Sequence, residues 1–356
     1  MRLILMDGTV FGGKSFGAAR SAVGEVVFNT GMVGYVESLT DPSYAGQILV
    51  LTYPLVGNYG VPESEFFESS KVQVAGLVVS EYSLNYSHHS AKQSLSNWLK
   101  KSDVPAVTAI DTRALTKRLR EYGVMLGQII TSGTLANKFT DPNEENLVAR
   151  VSIGQKKIYE PSDATKPGKD SATIVAVDCG MKENILRSLL ARGARVIRVP
   201  WNYDFTTENC DGIVISNGPG NPTMCAQTIV NIQRAMVMGK PILGICLGNQ
   251  LLALAAGGST YKLKYGHRSQ NQPCINEETK RCYITSQNHG YAVEAKSLPA
   301  EWKIWFSNAN DGSVEGIAHK SKPWRSVQFH PESSPGPIDT AWIIERFIDD
   351  VESKNI

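Results

Sequence analysis

The sequence has no long apolar run and almost no excess of charge of either sign. None of its 356 residues lies in a stretch that approaches the roughly 18 apolar residues needed by a membrane-spanning helix. With 36 basic and 34 acidic residues, the formal net charge is +2, which predicts neither a nucleic-acid partner nor a membrane partner. The apolar run 3–6, which ends at Asp7-Gly8, is shorter than a signal-peptide core of about 7–15 residues. We therefore expect a cytoplasmic protein.

Cysteine is scarce, and its positions exclude the short-spaced pairs that are typical of metal sites. Free thiols in a reducing compartment are expected instead, with no metal site in this chain. All six cysteines fall in the second half of the sequence: Cys179, Cys210, Cys225, Cys246, Cys274 and Cys282.

The character of the sequence changes near its middle, which predicts two domains. Residues 1–154 are rich in glycine and turn signals between short β-like runs such as Gln47–Thr52 and Val72–Val79. This pattern favours a smaller, β-rich N-terminal domain with helices. The polar segment 155–171 is predicted to be a linker, and residues 172–356 are predicted to form the second domain.

Short apolar strands alternate with helical patterns in residues 172–356. This pattern predicts an α/β fold with a mostly parallel central sheet covered by helices on both faces. The predicted strands of that sheet are Thr173–Asp178, Arg195–Pro200, Gly212–Ser216 and Pro241–Ile245. The predicted helices are Lys182–Arg192, Cys225–Met238, Leu247–Ala256 and a last one that begins near Asp339. Further β structure is predicted at Cys282–Ser286, Tyr291–Glu294, Val314–Ala318 and Arg325–Phe329.

A cysteine lies in the turn between one of these strands and a helix. The sequence Gly-Ile-Cys-Leu-Gly at 244–248 has the pattern of a nucleophile elbow with cysteine in place of serine. Gly244 and Gly248 meet the steric demand of a sharp turn. The N-terminus of the following helix would favour a thiolate and an oxyanion at Cys246. The alternative is a buried structural cysteine in a glycine-flanked turn.

A cysteine nucleophile requires a histidine, and the histidine requires an orienting group. His330 follows the apolar strand 326–329, and Glu332 projects to the same side because side chains two residues apart share a face. His267 and His319 have no carboxylate neighbour in an obvious motif. The Cys246 and His330 motifs both follow strands of one sheet, where α/β proteins form their sites. A loop histidine beside an acid is the alternative.

The loop Ser-Asn-Gly-Pro-Gly-Asn-Pro at 216–222 follows another buried strand. Its glycines allow backbone N–H groups to approach a ligand closely. Together with the N–H of Leu247, this loop is a candidate oxyanion hole. An ordinary surface loop is the alternative.

Three motifs in this order, at 217–220, 244–248 and 330–332, resemble class I glutamine amidotransferase domains. Other motifs resemble the small chain of carbamoyl-phosphate synthase. The motifs in the first half of the sequence distinguish this family from other class I amidotransferases, which lack this N-terminal domain. The resemblance rests on Gly-Glu-Val-Val-Phe-Asn-Thr-Gly-Met at 24–32, Leu-Thr-Asp-Pro-Ser-Tyr at 39–44, Ile-Asp-Thr-Arg at 110–113, Asn-Gln-Pro at 271–273 and Ser-Gln-Asn-His-Gly-Tyr at 286–291.

The resemblance implies a role for each motif residue. Cys246 would be the nucleophile, His330 the base and then the acid, and Glu332 the orienting carboxylate. Backbone N–H groups of Gly218 and Leu247 would form the oxyanion hole. Because Ser43 belongs to the first half, the pocket would be partly interdomain. The implied glutamine-binding residues are Ser43, Gly218, Gly220, Leu247, Gln250, Asn288, Gly290 and Tyr291.

The resemblance also implies a partner. A glutaminase subunit would hydrolyse glutamine through a Cys246 thioester and pass ammonia to a large chain, which makes carbamoyl phosphate from bicarbonate and ATP. We therefore expect no cofactor in this chain, and ATP and Mg²⁺ on the large chain. The pathway served, arginine biosynthesis, pyrimidine biosynthesis or both, stays open.

Two positions depart from the family's usual pattern. Asn249 stands where histidine usually follows Cys-Leu-Gly, and Asn221 stands where aspartate is usual. Asn249 bears on substrate affinity or on coupling to the partner. Three alternative functions remain: the amidotransferase subunit of another synthase, such as one for anthranilate or guanylate; a non-catalytic regulatory subunit with this fold; and a stand-alone cysteine hydrolase of γ-glutamyl compounds.

Overall fold

The computed structural model describes residues 1–131, 139–161 and 171–353, which divide into two compact units. The first unit is Met1–Leu147 and the second is Val148–Ile356. Within the predicted linker, Lys157–Tyr159 forms a strand of the second unit's sheet, and residues 162–170 lie outside the described residues. The predicted domain boundaries therefore stay a prediction. Among the described helices, none has the length and apolar character needed to span a bilayer.

The first unit is built on an eight-stranded mixed sheet. The ten described strands of the unit are β1 (Arg2–Leu5), β2 (Val10–Gly12), β3 (Lys14–Ser15), β4 (Ala22–Asn29), β5 (Gln47–Leu51), β6 (Leu55–Val56), β7 (Gly76–Val78), β8 (Glu81–Tyr82), β9 (Ala106–Thr108) and β10 (Met125–Ile130). The sheet order is β2-β1-β10-β4-β5-β7-β9-β3, while β6 and β8 form a separate pair. Strands β4, β5, β7 and β9 run parallel. The helices are α1 (Tyr35–Thr40), α2 (Leu95–Lys101) and α3 (Thr112–Tyr122).

The second unit begins near α4 (Leu147–Val151) and contains a ten-stranded sheet. Its strands are β11 (Lys157–Tyr159), β12 (Thr173–Asp178), β13 (Arg195–Pro200), β14 (Gly212–Ile215), β15 (Ile242–Ile245), β16 (Thr260–Asn276), β17 (Cys282–Val293), β18 (Trp302–Asn308), β19 (Val314–His319) and β20 (Trp324–Val327). Its helices are α5 (Glu183–Leu190), α6 (Ala226–Val237), α7 (Leu247–Ala255) and α8 (Trp342–Glu352).

Five neighbouring strands of this sheet, β13-β12-β14-β15-β20, run parallel, and the others are antiparallel additions. Alternate residues of each parallel strand enter different cores. On β12, Val175 and Val177 pack with α6 and α7, whereas Ile174 and Ala176 pack with α5 and α8. Burial on both faces explains why the parallel strands read as continuous apolar runs. The predicted α/β fold with a mostly parallel, helix-covered sheet is confirmed.

The sequence analysis missed one large feature, the long antiparallel pair β16 and β17. Strand β16 was not predicted, and β17 was predicted as two fragments, Cys282–Ser286 and Tyr291–Glu294. The polar residues 286–289 interrupt the apolar alternation of β17, yet all four of their side chains are buried. A polar core segment of this kind cannot be distinguished from a loop by hydrophobic period alone.

Helix α8 closes one face of the sheet through Phe347, which is 4% exposed. Its ring lies against Gly212 of β14, where an added Cβ would sit 3.0 Å from Phe347 Cζ. We expect Phe347→Ala to lower the free energy of unfolding of the second unit by about 3–5 kcal/mol, because it leaves a cavity. Urea denaturation would measure the loss. Asp349→Ala on the exposed face of the same helix is the control, and an equal effect of both variants would contradict this packing.

Candidate active site

The candidate site lies where four neighbouring parallel strands end. Strands β12, β14, β15 and β20 are followed, respectively, by Lys182, Gly218, Cys246 and His330. Because parallel strands present their carboxyl ends at one edge, residues more than 140 positions apart in the chain converge there. The fold brings the cysteine, histidine and glycine motifs to the same edge of the sheet.

Cys246 occupies a sharp turn with an unusual backbone conformation. Its φ is 53° and its ψ is −101°, a sparsely populated region that costs on the order of 1–3 kcal/mol for a non-glycine residue. The close packing of its neighbours requires glycine. A Cβ on Gly248 would lie 2.1 Å from the carbonyl oxygen of Ile215, and one on Gly244 would lie 2.5 Å from the oxygen of Gly248. The turn is therefore held by backbone packing against β14.

The thiol of Cys246 is buried and points toward strand β17. Its side chain is 2% exposed, and its Sγ donates to the carbonyl oxygen of Asn288 at 3.6 Å. The backbone N–H of Cys246 donates to the oxygen of Val327 at 2.8 Å, which ties the turn to β20. The next residue, Leu247, is the first of α7, where N–H groups have no partner within the helix.

Gly218 packs directly against this helix start. A Cβ added at Gly218 would lie 2.0 Å from the oxygen of Cys179 and 2.8 Å from Leu247 Cδ2. No side chain fits at this position, because the backbone of the 216–222 loop packs closely against Cys179 and Leu247. The assignment of the Gly218 and Leu247 N–H groups to an oxyanion hole stays a prediction.

A buried series of charged groups extends behind His330. His330 Nδ1 lies 2.6 Å from Glu332 Oε1, and Lys182 Nζ donates to the same carboxylate oxygen at 3.0 Å. Lys182 also donates to the carbonyl oxygen of Ser333, and Asn184 donates to that of Glu332. The side chains of His330, Glu332 and Lys182 are each 3% exposed or less. Lys182 was not identified from the sequence, because no local motif connects it to a carboxylate 150 residues away.

The pKa values of His330 and Glu332 are shifted in opposite directions. Burial acts to lower the pKa of His330, but the Glu332 carboxylate raises it to about 10, with Lys182 opposing and Cys246 adding to the increase. Burial acts to raise the pKa of Glu332, but Lys182 and His330 lower it to about 2. Glu332 is therefore ionised and His330 is protonated near neutral pH. This arrangement stabilises an imidazolium beside Cys246.

The second ring nitrogen of His330 is available for chemistry. Nε2 is buried and makes no hydrogen bond of acceptable distance and angle to the described residues. Cys246 is nevertheless close enough to contribute to the raised pKa of this imidazole. Nδ1 is fixed by Glu332, so Nε2 is the atom left to exchange a proton with a reacting group.

The structure gathers several of the predicted glutamine-binding residues near the thiol. Gln250 on α7 donates through Nε2 to the oxygen of Tyr291 at 2.9 Å, and Asn288 accepts from Cys246. Gly220 has a φ of 84°, a conformation that favours glycine. Gly290 lies between Asn288 and Tyr291 on β17. Ser43 lies in the first unit, and the roles of all these residues in binding glutamine stay predictions.

One further histidine cluster lies in the same unit. His267, His289 and Glu315 are buried, with potential ligand atoms within 4.8 Å of one another. His267 Nδ1 lies 3.1 Å from Glu315 Oε1, and its Nε2 lies 2.9 Å from Asp311 Oδ2. Burial acts to lower the pKa of His267, but the two carboxylates raise it. Both ring nitrogens of His267 are thus engaged by carboxylate oxygens, so the cluster is described as a buried group of hydrogen bonds and ion pairs. The sequence analysis missed it, because both carboxylates are distant in sequence.

The raised pKa of His330 provides a test of the charged series. In Glu332→Gln we expect the pKa of the His330 imidazole to fall from about 10 to below roughly 6.5, because burial and Lys182 then act unopposed by a carboxylate. NMR titration, with the resonance assigned from His330→Asn, would measure it. Glu345→Gln, which removes an exposed carboxylate, is the control. An unchanged pKa in Glu332→Gln would show that Glu332 is not the cause.

Comparison with known families covers both units. Residues 3–129 match the model described as carbamoyl-phosphate synthase small chain, CPSase domain, and residues 175–350 match that of glutamine amidotransferase class-I. The chain is 47% identical over 365 residues to a carbamoyl phosphate synthase arginine-specific small chain of Chaetomium globosum. That alignment covers 98% of this chain and 78% of the relative.

Two further relatives differ greatly in length. A chain of the same name in Neosartorya fischeri is 48% identical over 363 residues, with 98% of this chain and 79% of the relative covered. The multifunctional protein CAD of Squalus acanthias is 53% identical over 359 residues, which are 98% of this chain and 16% of that protein. This chain thus spans about a sixth of the length of that multifunctional relative. The chain belongs to the family of carbamoyl-phosphate synthase small chains, and its second unit is a class I glutamine amidotransferase domain.

Proposed function

We propose that this chain is the glutaminase subunit of a carbamoyl-phosphate synthase. It hydrolyses glutamine to glutamate and ammonia, and the ammonia passes to a large synthetase chain that uses bicarbonate and ATP. The observation that carries the proposal is the placement of Cys246 on a strained turn beside a buried His330 whose orientation is fixed by Glu332. Family membership supports the substrate and the partner.

In the first half of the reaction, Cys246 attacks the γ-amide carbon of glutamine as a thiolate, with His330 as the protonated member of the pair. The resulting oxyanion is stabilised by the backbone N–H groups of Gly218 and Leu247. The carbon–nitrogen bond then breaks as His330 Nε2 gives its proton to the departing nitrogen. Ammonia leaves, and a γ-glutamyl thioester remains on Cys246.

In the second half, water attacks the thioester carbonyl while the now neutral His330 takes its proton. The same N–H groups stabilise the second oxyanion, the carbon–sulfur bond breaks, and glutamate departs. No metal ion and no organic cofactor enters either step, because the nucleophile, the acid–base group and the oxyanion donors are all protein groups. ATP and Mg²⁺ are assigned to the large chain, and the complex to the cytoplasm.

The departing ammonia needs protection from solvent protons, because ammonium is not a nucleophile. A passage within the complex from Cys246 to the large chain would supply it. The acceptor chemistry requires nucleotide binding. The one segment of this sequence that matches Gly-x-x-x-x-Gly-Lys-Ser, residues 8–15, contains strands β2 and β3 and does not open a helix as a phosphate-binding loop does. We assign that chemistry to the large chain, as membership of the small-chain family supports.

Replacement of the nucleophile tests the proposal. We expect Cys246→Ser to reduce glutamate release from glutamine by at least about 10³-fold, because the residues of a catalytic triad act as a unit. Cys282→Ser, which changes an exposed thiol of the same unit, is the matched control and should keep wild-type activity. Both variants would be assayed by steady-state glutamate production. The purified chain would be measured alone and together with the large chain, bicarbonate and ATP.

Each outcome of this assay is informative. Activity that rises strongly with the large chain, together with intact ammonia-dependent synthesis in the Cys246→Ser complex, supports a coupled subunit. High activity alone, unchanged by the large chain, would indicate a stand-alone γ-glutamyl hydrolase. A wild-type chain that is inactive in both conditions would indicate a regulatory subunit, and persistent turnover by Cys246→Ser would exclude this cysteine as the nucleophile.

A further inference from the structure

A buried polar network lies behind the nucleophile turn, and no step of the proposed mechanism uses it. Asn249 Nδ2 donates to Gln328 Oε1 at 3.0 Å, and Ser326 Oγ donates to Asn249 Oδ1 at 2.8 Å. Gln250 Nε2 donates to the same Gln328 oxygen at 3.2 Å and to the oxygen of Tyr291 at 2.9 Å. All four side chains of the network, those of Asn249, Gln250, Ser326 and Gln328, are 3% exposed or less.

One backbone carbonyl fixes the orientation of all three amides. The oxygen of Tyr291 can only accept, so the Gln250 atom that faces it must be the nitrogen. The Gln328 atom that faces this nitrogen must then be oxygen, and the Asn249 atom that faces that oxygen must be nitrogen. Asn249 therefore turns its own oxygen toward the hydroxyl of Ser326. No amide in this series can rotate by 180° without placing two donors or two acceptors together.

The orientation of Gln328 has a cost that packing alone does not explain. Its Nε2 is buried and has no hydrogen-bond partner among the residues that the structure describes. An orphaned buried donor is destabilising and is uncommon in folded proteins. The opposite orientation would direct that nitrogen at the amide nitrogen of Gln250, which Tyr291 holds in place as a donor. The network thus keeps Gln328 Oε1 directed at Asn249 and Gln250.

The network fixes the orientation of the Gln250 side-chain amide. Both hydrogens of its amide nitrogen are engaged, by Tyr291 and by Gln328, whereas no residue in the described part of the chain donates to its Oε1. Gln250 therefore presents an acceptor and no free donor. A ligand group that binds to this oxygen must be a hydrogen-bond donor, and at neutral pH the donors of glutamine are the N–H groups of its ammonium and its carboxamide.

We propose that Asn249, Ser326 and Gln328 are positioning residues that lock Gln250 as a hydrogen-bond acceptor for an N–H group of glutamine. The inference rests on the proposed glutaminase function and extends it. It also gives Asn249, which departs from the family's usual histidine, a defined role in substrate affinity. The network acts on binding, and the thiol, the imidazole and the oxyanion donors are not part of it.

The test compares two buried asparagines. Asn249→Ala removes the donor that holds Gln328 Oε1, and we expect the KM for glutamine to rise about three- to tenfold with kcat within about twofold. Asn231→Ala removes a fully buried amide on α6 that donates to the oxygen of Tyr203, and it should lower stability without changing KM. Gln328→Met should behave like Asn249→Ala, whereas Gln328→Glu keeps an acceptor oxygen and should restore most of the affinity.

Two further readouts separate positioning from damage to the fold. The rate of Cys246 alkylation by iodoacetamide should match wild type in Asn249→Ala and Gln328→Met, since the nucleophile turn is intact. Calorimetric binding of glutamine in a Cys246→Ala background should weaken by the same factor as KM rises. Unchanged KM in these variants, or parallel losses of kcat and alkylation, would overturn the inference while glutaminase activity stands. A wild-type chain that neither binds nor hydrolyses glutamine would overturn the proposed function, and the inference with it.

Discussion

The buried carboxylate of Glu332 is the group on which the rest of the site depends. A side chain with no exposed surface holds its charge only because Lys182 and His330 both contact the same oxygen. Removal of either partner would leave an uncompensated charge, a change that typically costs about 3–5 kcal/mol. The loop after β12 and the end of β20 are therefore held together by charge, in addition to the packing of their strands. His330 acquires a fixed orientation as a consequence, with Nε2 directed away from Glu332 toward the reacting groups.

Local motifs predicted the parts of the site in which chemistry and backbone geometry occur in one short segment. The glycines that flank Cys246 were identified from the turn that they permit, and His330 was linked to Glu332 through their spacing of two. Lys182 could not be found in this way, because its partner is 150 residues away and lysine near a strand end has no distinctive pattern. The same limit applies to His267, whose carboxylates lie on β19 and on the turn before it. Side-chain pairs of this kind depend on strand order, which periodicity does not provide.

The fold was predictable where burial produced a clear period and was not where polar residues are buried. The parallel strands of the second unit were located to within one or two residues, since both faces are covered and their sequences are uniformly apolar. Strand β16 and the centre of β17 contain buried Arg268, Ser269, Gln287 and Asn288, which the hydrophobic pattern assigns to a surface. The two departures from the family pattern are accommodated locally. Asn221 Oδ1 accepts from the backbone N–H and hydroxyl of Thr223, bonds that an aspartate would also accept.

Lys182 has two opposing effects on His330, and the balance between them suits a group that must act as an acid and then as a base. By keeping Glu332 ionised, Lys182 preserves the carboxylate that raises the pKa of the imidazole. By direct repulsion, it lowers that same pKa. An imidazole that is protonated before glutamine binds is already the acid that the departing nitrogen requires. If its proton were held too firmly, transfer would be slow, because acid–base catalysis is most efficient when the pKa lies near the working pH. A cation placed on the far side of the carboxylate therefore orients the histidine and at the same time weakens its hold on the proton.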